Sequence, residues 1–257
     1  MRILITGASG QLGSELCRVL AQDTVIPKDL PDFDLTRSDI VDQIVDARPD
    51  VIIHAGAYTD VDGAEREPDR ATAVNVTGTE LVATAAARTG ARLFYVSTDY
   101  VFDGTQPVPY REEDRPHPLN HYGLTKWQGE QAVLSSGARA LVIRTAWLYG
   151  RQGKNFVKSI MRAAQEQPVL NVVHDQRGCP TYAGDLAATV ALLLHREVEG
   201  ILHVTNRGHC SWHEFAQAIV QEMGLSVPVL PITTAQAGRP AMRPPYSVLS
   251  YDRLSVR

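Results

Sequence analysis

Two rhythms alternate along this chain. Residues 2–6 form a short unbroken apolar run with branched side chains, which predicts a buried strand. Leu12, Leu16, Val19 and Leu20 then fall at helical spacing. The alternation continues: strands are predicted over 24–26, 51–57, 91–96 and 139–145, and helices over 38–47, through Asn75 to Ala87, and from Asn120 onward. Strands that read as continuous apolar runs between helices imply a parallel sheet covered on both faces. Past Arg151 the regularity breaks. An amphipathic helix is predicted over 155–166 (Phe156, Ile160, Met161, Ala164), a strand over 169–173 and a turn over 178–181. The apolar helix 183–194 and the strand 200–205 are expected to return to the core sheet. Ser211 should cap a helix over 212–223, with Glu214 completing a capping box. A proline-broken strand over 227–232 and a loop over 238–245 follow.

Gly7, Gly10 and Gly13 sit between the first strand and the first helix, spaced G-x-x-G-x-x-G. Glycine lets the backbone turn sharply and approach a pyrophosphate, while the helix N-terminus offers free N–H groups. Gln11 and Leu12 belong to the same turn. The next strand ends at Lys28 and Asp29, where an acidic residue suits a free ribose 2′-hydroxyl and a basic one a 2′-phosphate. Standing side by side, they leave NADH and NADPH both open. Asp34 and Leu35 are expected near the adenine. Ala55, Gly56 and Ala57 end the third strand with small side chains that leave room for a cofactor.

The chain has 257 residues, 44% of them hydrophobic, and a net charge of −4. It can form one large α/β domain or one domain with a smaller lobe. That charge gives no general attraction to nucleic acid or an anionic membrane. No apolar stretch approaches the ~18 residues of a membrane span, and Met1 leads straight into the first strand. The expectation is a cytoplasmic protein. Cys17, Cys179 and Cys210 form no C-x-x-C, and the eight histidines show no ligand-like spacing.

Thr98 lies at the end of the fourth strand, and Tyr122 and Lys126 stand one helical turn apart. A free phenol has a pKa of about 10. An ammonium ~5 Å away, at an effective dielectric of about 20, is worth roughly 3 kcal/mol, enough to lower that pKa by about two. Tyr122 would then donate a proton to a carbonyl being reduced, Thr98 would bond the same oxygen, and Lys126 would hold the nicotinamide ribose. Asn75, a poor helix former inside a helical run, is a candidate for orienting a water or backbone group.

The glycine spacing resembles the extended branch of the short-chain dehydrogenase/reductase superfamily. The segments 97–104, Tyr122 to Lys126 with Gly129 and Glu130, 144–150, Asn155–Phe156, 175–181 and Arg239–Pro240 with 246–249 resemble the dTDP-4-dehydrorhamnose reductase family. The resemblance implies an α/β, Rossmann-like doubly wound parallel sheet with a smaller C-terminal substrate-binding lobe. Residues 1–150 would bind NAD(P), joined by 182–205, while 151–181 and 206–257 would form the lobe. It implies an oxidoreductase that reduces the C4 ketone of dTDP-4-dehydro-L-rhamnose with NADPH or NADH. Tyr58 would lie by the cofactor; Val61, Asp62, Thr98, Asp99, Tyr100, Trp147, Asn155 and Arg239 would meet the nucleotide sugar, the indole packing on the sugar or thymine. Arg239 and Arg243 are fork-shaped donors suited to the diphosphate. Glu15 matches a position linked in some members to a magnesium-bridged homodimer, although a solvated first-turn Glu is the simpler reading. His54 stands where the family has Asn, and Gly63 where Lys is common. Two competing readings are a reductase of another nucleotide-linked keto sugar and a binding module like the regulatory subunit of methionine adenosyltransferase.

Overall fold

The computed structural model of the chain describes residues 1–255. Its first half runs β1 (Arg2–Thr6), α1 (Gln11–Val19), β2 (Thr24–Lys28), α2 (Ile40–Ala47), β3 (Val51–His54), α3 (Val61–Arg66), α4 (Pro68–Thr72), α5 (Gly78–Thr89), β4 (Arg92–Thr98), α6 (His121–Ser135) and β5 (Ala140–Thr145). Then follow β6 (Leu148–Tyr149), α7 (Phe156–Glu166), β7 (Leu170–Val173), β8 (Arg177–Gly178), β9 (Thr181–Tyr182), α8 (Ala183–Leu193), β10 (Gly200–His203), β11 (Cys210–Ser211), α9 (Trp212–Glu222), β12 (Val229–Ile232), α10 (Thr234–Ala237) and α11 (Asp252–Ser255).

Six parallel strands form the central sheet in the order β2-β1-β3-β4-β5-β10. Alternation within each strand divides its side chains between two cores. Ile3, Ile5, Phe94, Leu141 and Ile143 face α1 and α8, with Leu16 and Val190. Leu4, Ile52, Leu93, Tyr95 and Val142 face α2, α5 and α6, with Ile44, Val82 and Val133. Burying each large aliphatic side chain contributes about 1.5–3 kcal/mol, which is why both faces of the sheet must be covered.

The chain leaves β1 toward β2 on one side and returns to β3 on the other, so a crevice opens between the loops after β1 and β3. α7 and α9 pack on the parallel pair β7–β12 around a separate apolar cluster that includes Ile160, Leu170, Val172 and Ile219. The Ser211–Glu214 capping box is present at the start of α9. A C-terminal strap, residues 239–250, crosses between these parts, pairing with Arg177 at Tyr246 and with Tyr110 at Leu249. No helix among the described residues is long and apolar enough to cross a membrane.

Candidate active site

Gly7 holds φ +67°, and a Cβ there would come within 2.7 Å of the Gly56 backbone. A Cβ on Gly13 would strike the Gly7 carbonyl. The loops after β1 and β3 therefore meet glycine to glycine, leaving a backbone-lined cradle at the start of α1 that fits a dinucleotide pyrophosphate. The Gly10 N–H donates to the Gly7 carbonyl at 3.0 Å, and Gln11 begins the helix with its Oε1 buried and unpaired. Leu12 is a core residue. Asp29 Oδ2 accepts the Ser9 N–H at 2.7 Å, and Lys28 turns away to Gln43.

His54 fills its position as a hydrogen-bonded strut. Its Nδ1 lies 2.7 Å from Thr6 Oγ1 and its Nε2 3.1 Å from Thr79 Oγ1, and burial lowers its pKa to about 3. Thr6 Oγ1 also accepts the Gly56 N–H at 3.2 Å. Ala55, Gly56 and Ala57 lie half-buried along this edge. Asn75 occupies a π-helical turn, Ala73–Thr77, that interrupts the predicted single helix. Its Oδ1 accepts the Tyr58 N–H at 2.8 Å, and its Nδ2 donates to the Tyr58 carbonyl at 3.0 Å and to Thr125 Oγ1 at 3.1 Å. It is a backbone group that Asn75 orients, at the one place where the helix widens to bring it close. The Tyr58 hydroxyl donates to Glu67 at 2.8 Å. Leu35 packs in the core beside Gly56 and Gly78, and half-buried Asp34 accepts both the N–H and the hydroxyl of Thr36.

Thr98, Asp99, Tyr100, Tyr122 and Lys126 come together where β4 ends against α6. Asn120 caps that helix through the Gly123 N–H at 2.7 Å, which sets Tyr122 in its first turn. The Tyr122 hydroxyl lies near Thr98, whose side chain favours the ionised phenol. Lys126 is buried; its Nζ donates to the Val96 carbonyl at 2.8 Å and lies 4.1 Å from the centre of the Tyr95 ring. The expected lowering of the Tyr122 pKa by Lys126 is absent. Loss of water around the phenol raises it to about 12, against the opposing influence of Thr98, while burial lowers Lys126 to about 7 despite the attraction of Glu130. Desolvation outweighs the Coulomb attraction assumed from spacing alone.

Asp62 and Arg239 also meet, with Arg243. Arg243 grips Asp62 with two bonds of 3.0 and 2.9 Å, Arg239 lies 3.5 Å away, and the Ala241 N–H donates at 3.1 Å. Burial works to raise the Asp62 pKa, but these donors outweigh it and hold the carboxyl below its usual range. Val61 starts the helix beside this cluster.

Three expectations shift. The Trp147 indole is stacked on Trp212 at 3.4 Å and 4°, so one of its faces is covered by protein. Asn155 caps α7 through the Lys158 N–H and donates to the Gly150 carbonyl, so both ends of its amide are engaged. Glu15 is buried rather than solvated, 2.8 Å from Arg18, and no group of three or more His, Cys, Asp or Glu among the described residues could hold a metal ion. Ser247, whose hydroxyl reaches Asp99 at 2.5 Å, was not singled out by sequence; only the order of the C-terminal segment pointed toward it.

A family model described as the RmlD substrate binding domain matches residues 1–257. The chain belongs to the dTDP-4-dehydrorhamnose reductase family. It is 42% identical to the dTDP-4-dehydrorhamnose reductase of Sinorhizobium fredii, over 99% of this chain and 90% of the relative. It is likewise 42% identical to a probable dTDP-4,6-dihydroxy-2-methyloxan-3-one 4-ketoreductase of Streptomyces antibioticus, over 98% and 88%. The crystal structure of the Bacillus anthracis dTDP-4-dehydrorhamnose reductase in complex with NADP superposes with a TM-score of 0.96 at 43% identity, covering 99% of this chain and 92% of that one. Family membership makes the chain an oxidoreductase and accounts for the glycine cradle and the Thr98–Tyr122–Lys126 edge in one molecule.

Proposed function

We propose that this protein is a cytoplasmic enzyme that reduces the C4 ketone of dTDP-4-dehydro-L-rhamnose to give dTDP-L-rhamnose. The observation that carries the reading is the meeting of Thr98, Tyr122 and Lys126 beside the Gly7–Gly56 crevice. Gly7, Gly10, Gln11 and Gly13 would hold the dinucleotide phosphates, and Lys126 the nicotinamide ribose. When bound, NADPH or NADH supplies the hydride. Tyr122, fully protonated at neutral pH, donates its proton to the C4 oxygen, and Thr98 bonds the same oxygen. Arg239 and Arg243, two cations around one Asp62 carboxylate, leave a net positive cluster for the diphosphate. The α7–α9 unit, with the strap, forms the substrate lobe that closes this side of the crevice.

The test is an NADH-versus-NADPH assay with the dTDP-4-keto sugar generated in situ. Asp29 at the end of β2 suits a free 2′-hydroxyl, and the Bacillus anthracis relative holds NADP, so both dinucleotides are compared. Tyr122→Phe should lose about 10²-fold or more in turnover while still binding cofactor. Undiminished turnover in that variant would remove Tyr122 from its role. The Streptomyces antibioticus relative favours a second reading, reduction of a different dTDP-linked keto sugar, and a panel of such sugars separates the two.

A further inference from the structure

We propose that Asn120 is a positioning residue that links the diphosphate end of the site to Tyr122, so that anchoring the nucleotide sets the proton donor in place; the proposal rests on the reductase reading above. Asn120 is buried and bonded through both ends of its amide. Its Oδ1 accepts the Gly123 N–H at 2.7 Å and caps α6, and its Nδ2 donates to the Met242 carbonyl of the strap at 2.7 Å, across 122 positions of sequence. Capping needs only an acceptor, and Ser or Asp caps a helix about as well as Asn. Among these three, only the carboxamide carries a donor and an acceptor on separate atoms.

The bond to the strap closes a circuit around the first turn of α6. From the strap, Arg243 donates to Asp62 Oδ1 at 3.0 Å and to Oδ2 at 2.9 Å. Asp62 and Glu65 stand one turn apart on α3. Glu65 Oε1 accepts the His121 N–H at 2.8 Å, and Asn120 leads back from α6 to Met242, the neighbour of Arg243. Strap, α3 and α6 are thus each joined to the other two. Tyr122 follows directly on the cap and the first residue of α6, which make two of these three joins.

This turn has little slack. A Cβ on Gly123 would lie 2.1 Å from the Tyr100 carbonyl, and the Tyr100 ring meets the Tyr122 ring edge-on with centroids 5.8 Å apart. A shift of the strap therefore reaches the phenol through Asn120 instead of being absorbed on the way. Arg239 and Arg243, the cations assigned to the diphosphate, flank Met242 on the strap. Binding energy from a part of the substrate that does not react can be used to orient the group that does. Asn120 carries that coupling and takes no part in the proton transfer itself.

Two measurements decide this. Asn120→Ser and Asn120→Asp keep the cap and lose the bond to the strap. With the dTDP-4-keto sugar each should lower kcat by about tenfold or more, with a smaller change in KM. Asn120→Ala, which loses the cap as well, should melt below both. The second measurement follows the link without turnover. The ring ¹³C signal of Tyr122, assigned with Tyr122→Phe, should shift when dTDP is added to the wild type and stay in place in Asn120→Ser. A kcat loss confined to Asn120→Ala, no dTDP shift in the wild type, or a shift that survives in Asn120→Ser overturns the proposal. Absence of any ketone-dependent NAD(P)H oxidation in the wild type sinks the reductase reading instead, and the dTDP arm still reports on Asn120.

Discussion

Glu130 and Arg144 form the most deeply buried ion pair in the described part of the chain, with side chains 0% and 1% exposed. Arg144, on β5, donates to both carboxylate oxygens at 2.9 and 2.7 Å, and Ser97 of β4 adds a bond at 2.5 Å. Glu130 lies one turn beyond Lys126 on α6, so the pair ties the helix carrying Tyr122 to the sheet edge carrying Thr98. Glu130→Met leaves the guanidinium buried without a counter-charge, at a cost of about 3–5 kcal/mol. For a chain of this size that lowers Tm by roughly 6–20 °C, taking about 2–4 °C per kcal/mol. It also removes the charge that helps Lys126 keep its proton, so the Lys126 pKa should fall further below about 7. The double variant Glu130→Met with Arg144→Met buries neither charge and should recover most of the stability. Urea unfolding followed by circular dichroism measures all three variants against wild type. A Glu130→Met cost below about 1 kcal/mol, or a double variant no more stable than the single, would refute the reasoning.

Three further outcomes follow from the geometry. Gly13→Ala drives a methyl into the Gly7 carbonyl and should weaken dinucleotide binding by at least tenfold, about 1.4 kcal/mol, in a fluorescence titration; unchanged affinity would mean the cradle is elsewhere. Asn75→Ala removes both partners of the Tyr58 peptide and should cost about 1–3 kcal/mol for each group left buried and unpaired, read by urea unfolding. His54 has a folded pKa of about 3 against 6.5 when free, so the unfolded chain takes up the proton first and stability falls as pH drops from 6.5 toward 3. His54→Asn should flatten that acid limb in Tm measurements, and His203, also near 3, keeps its own share; a limb as steep as wild type's would show His54 contributes nothing.

The parallel sheet was legible because both kinds of element announce themselves locally. The runs at Ile3–Leu4–Ile5 and Leu93–Phe94–Tyr95 are apolar at every position, and each strand does have a core on both faces. Gly7 and Gly13 were legible for a similar reason: their contacts are with residues close in sequence or with the neighbouring loop of the same crevice. What could not be read was contact between distant segments. Ser247 meets Asp99, and Trp147 meets Trp212, only after the strap and α9 are folded into place. The π turn at Asn75 hid inside a good helical period, since the Tyr58 peptide that Asn75 bonds from it lies on another loop. The Tyr122–Lys126 spacing was right while its assumed electrostatics was not, because residue spacing carries no information about how much water each group loses.

The Trp147–Trp212 stack joins the segment just after β5, at the end of the central sheet, to the first residue of α9. Two indoles lying parallel at 3.4 Å share their electronic transitions, and such coupling produces a paired positive and negative band in ultraviolet circular dichroism. Only three tryptophans are present in the chain, and the third, Trp127 on α6, packs against the same apolar cluster as Trp147 without stacking on either indole. The protein thus carries an intrinsic optical gauge at the joint between its central sheet and the α7–α9 unit, with no label attached.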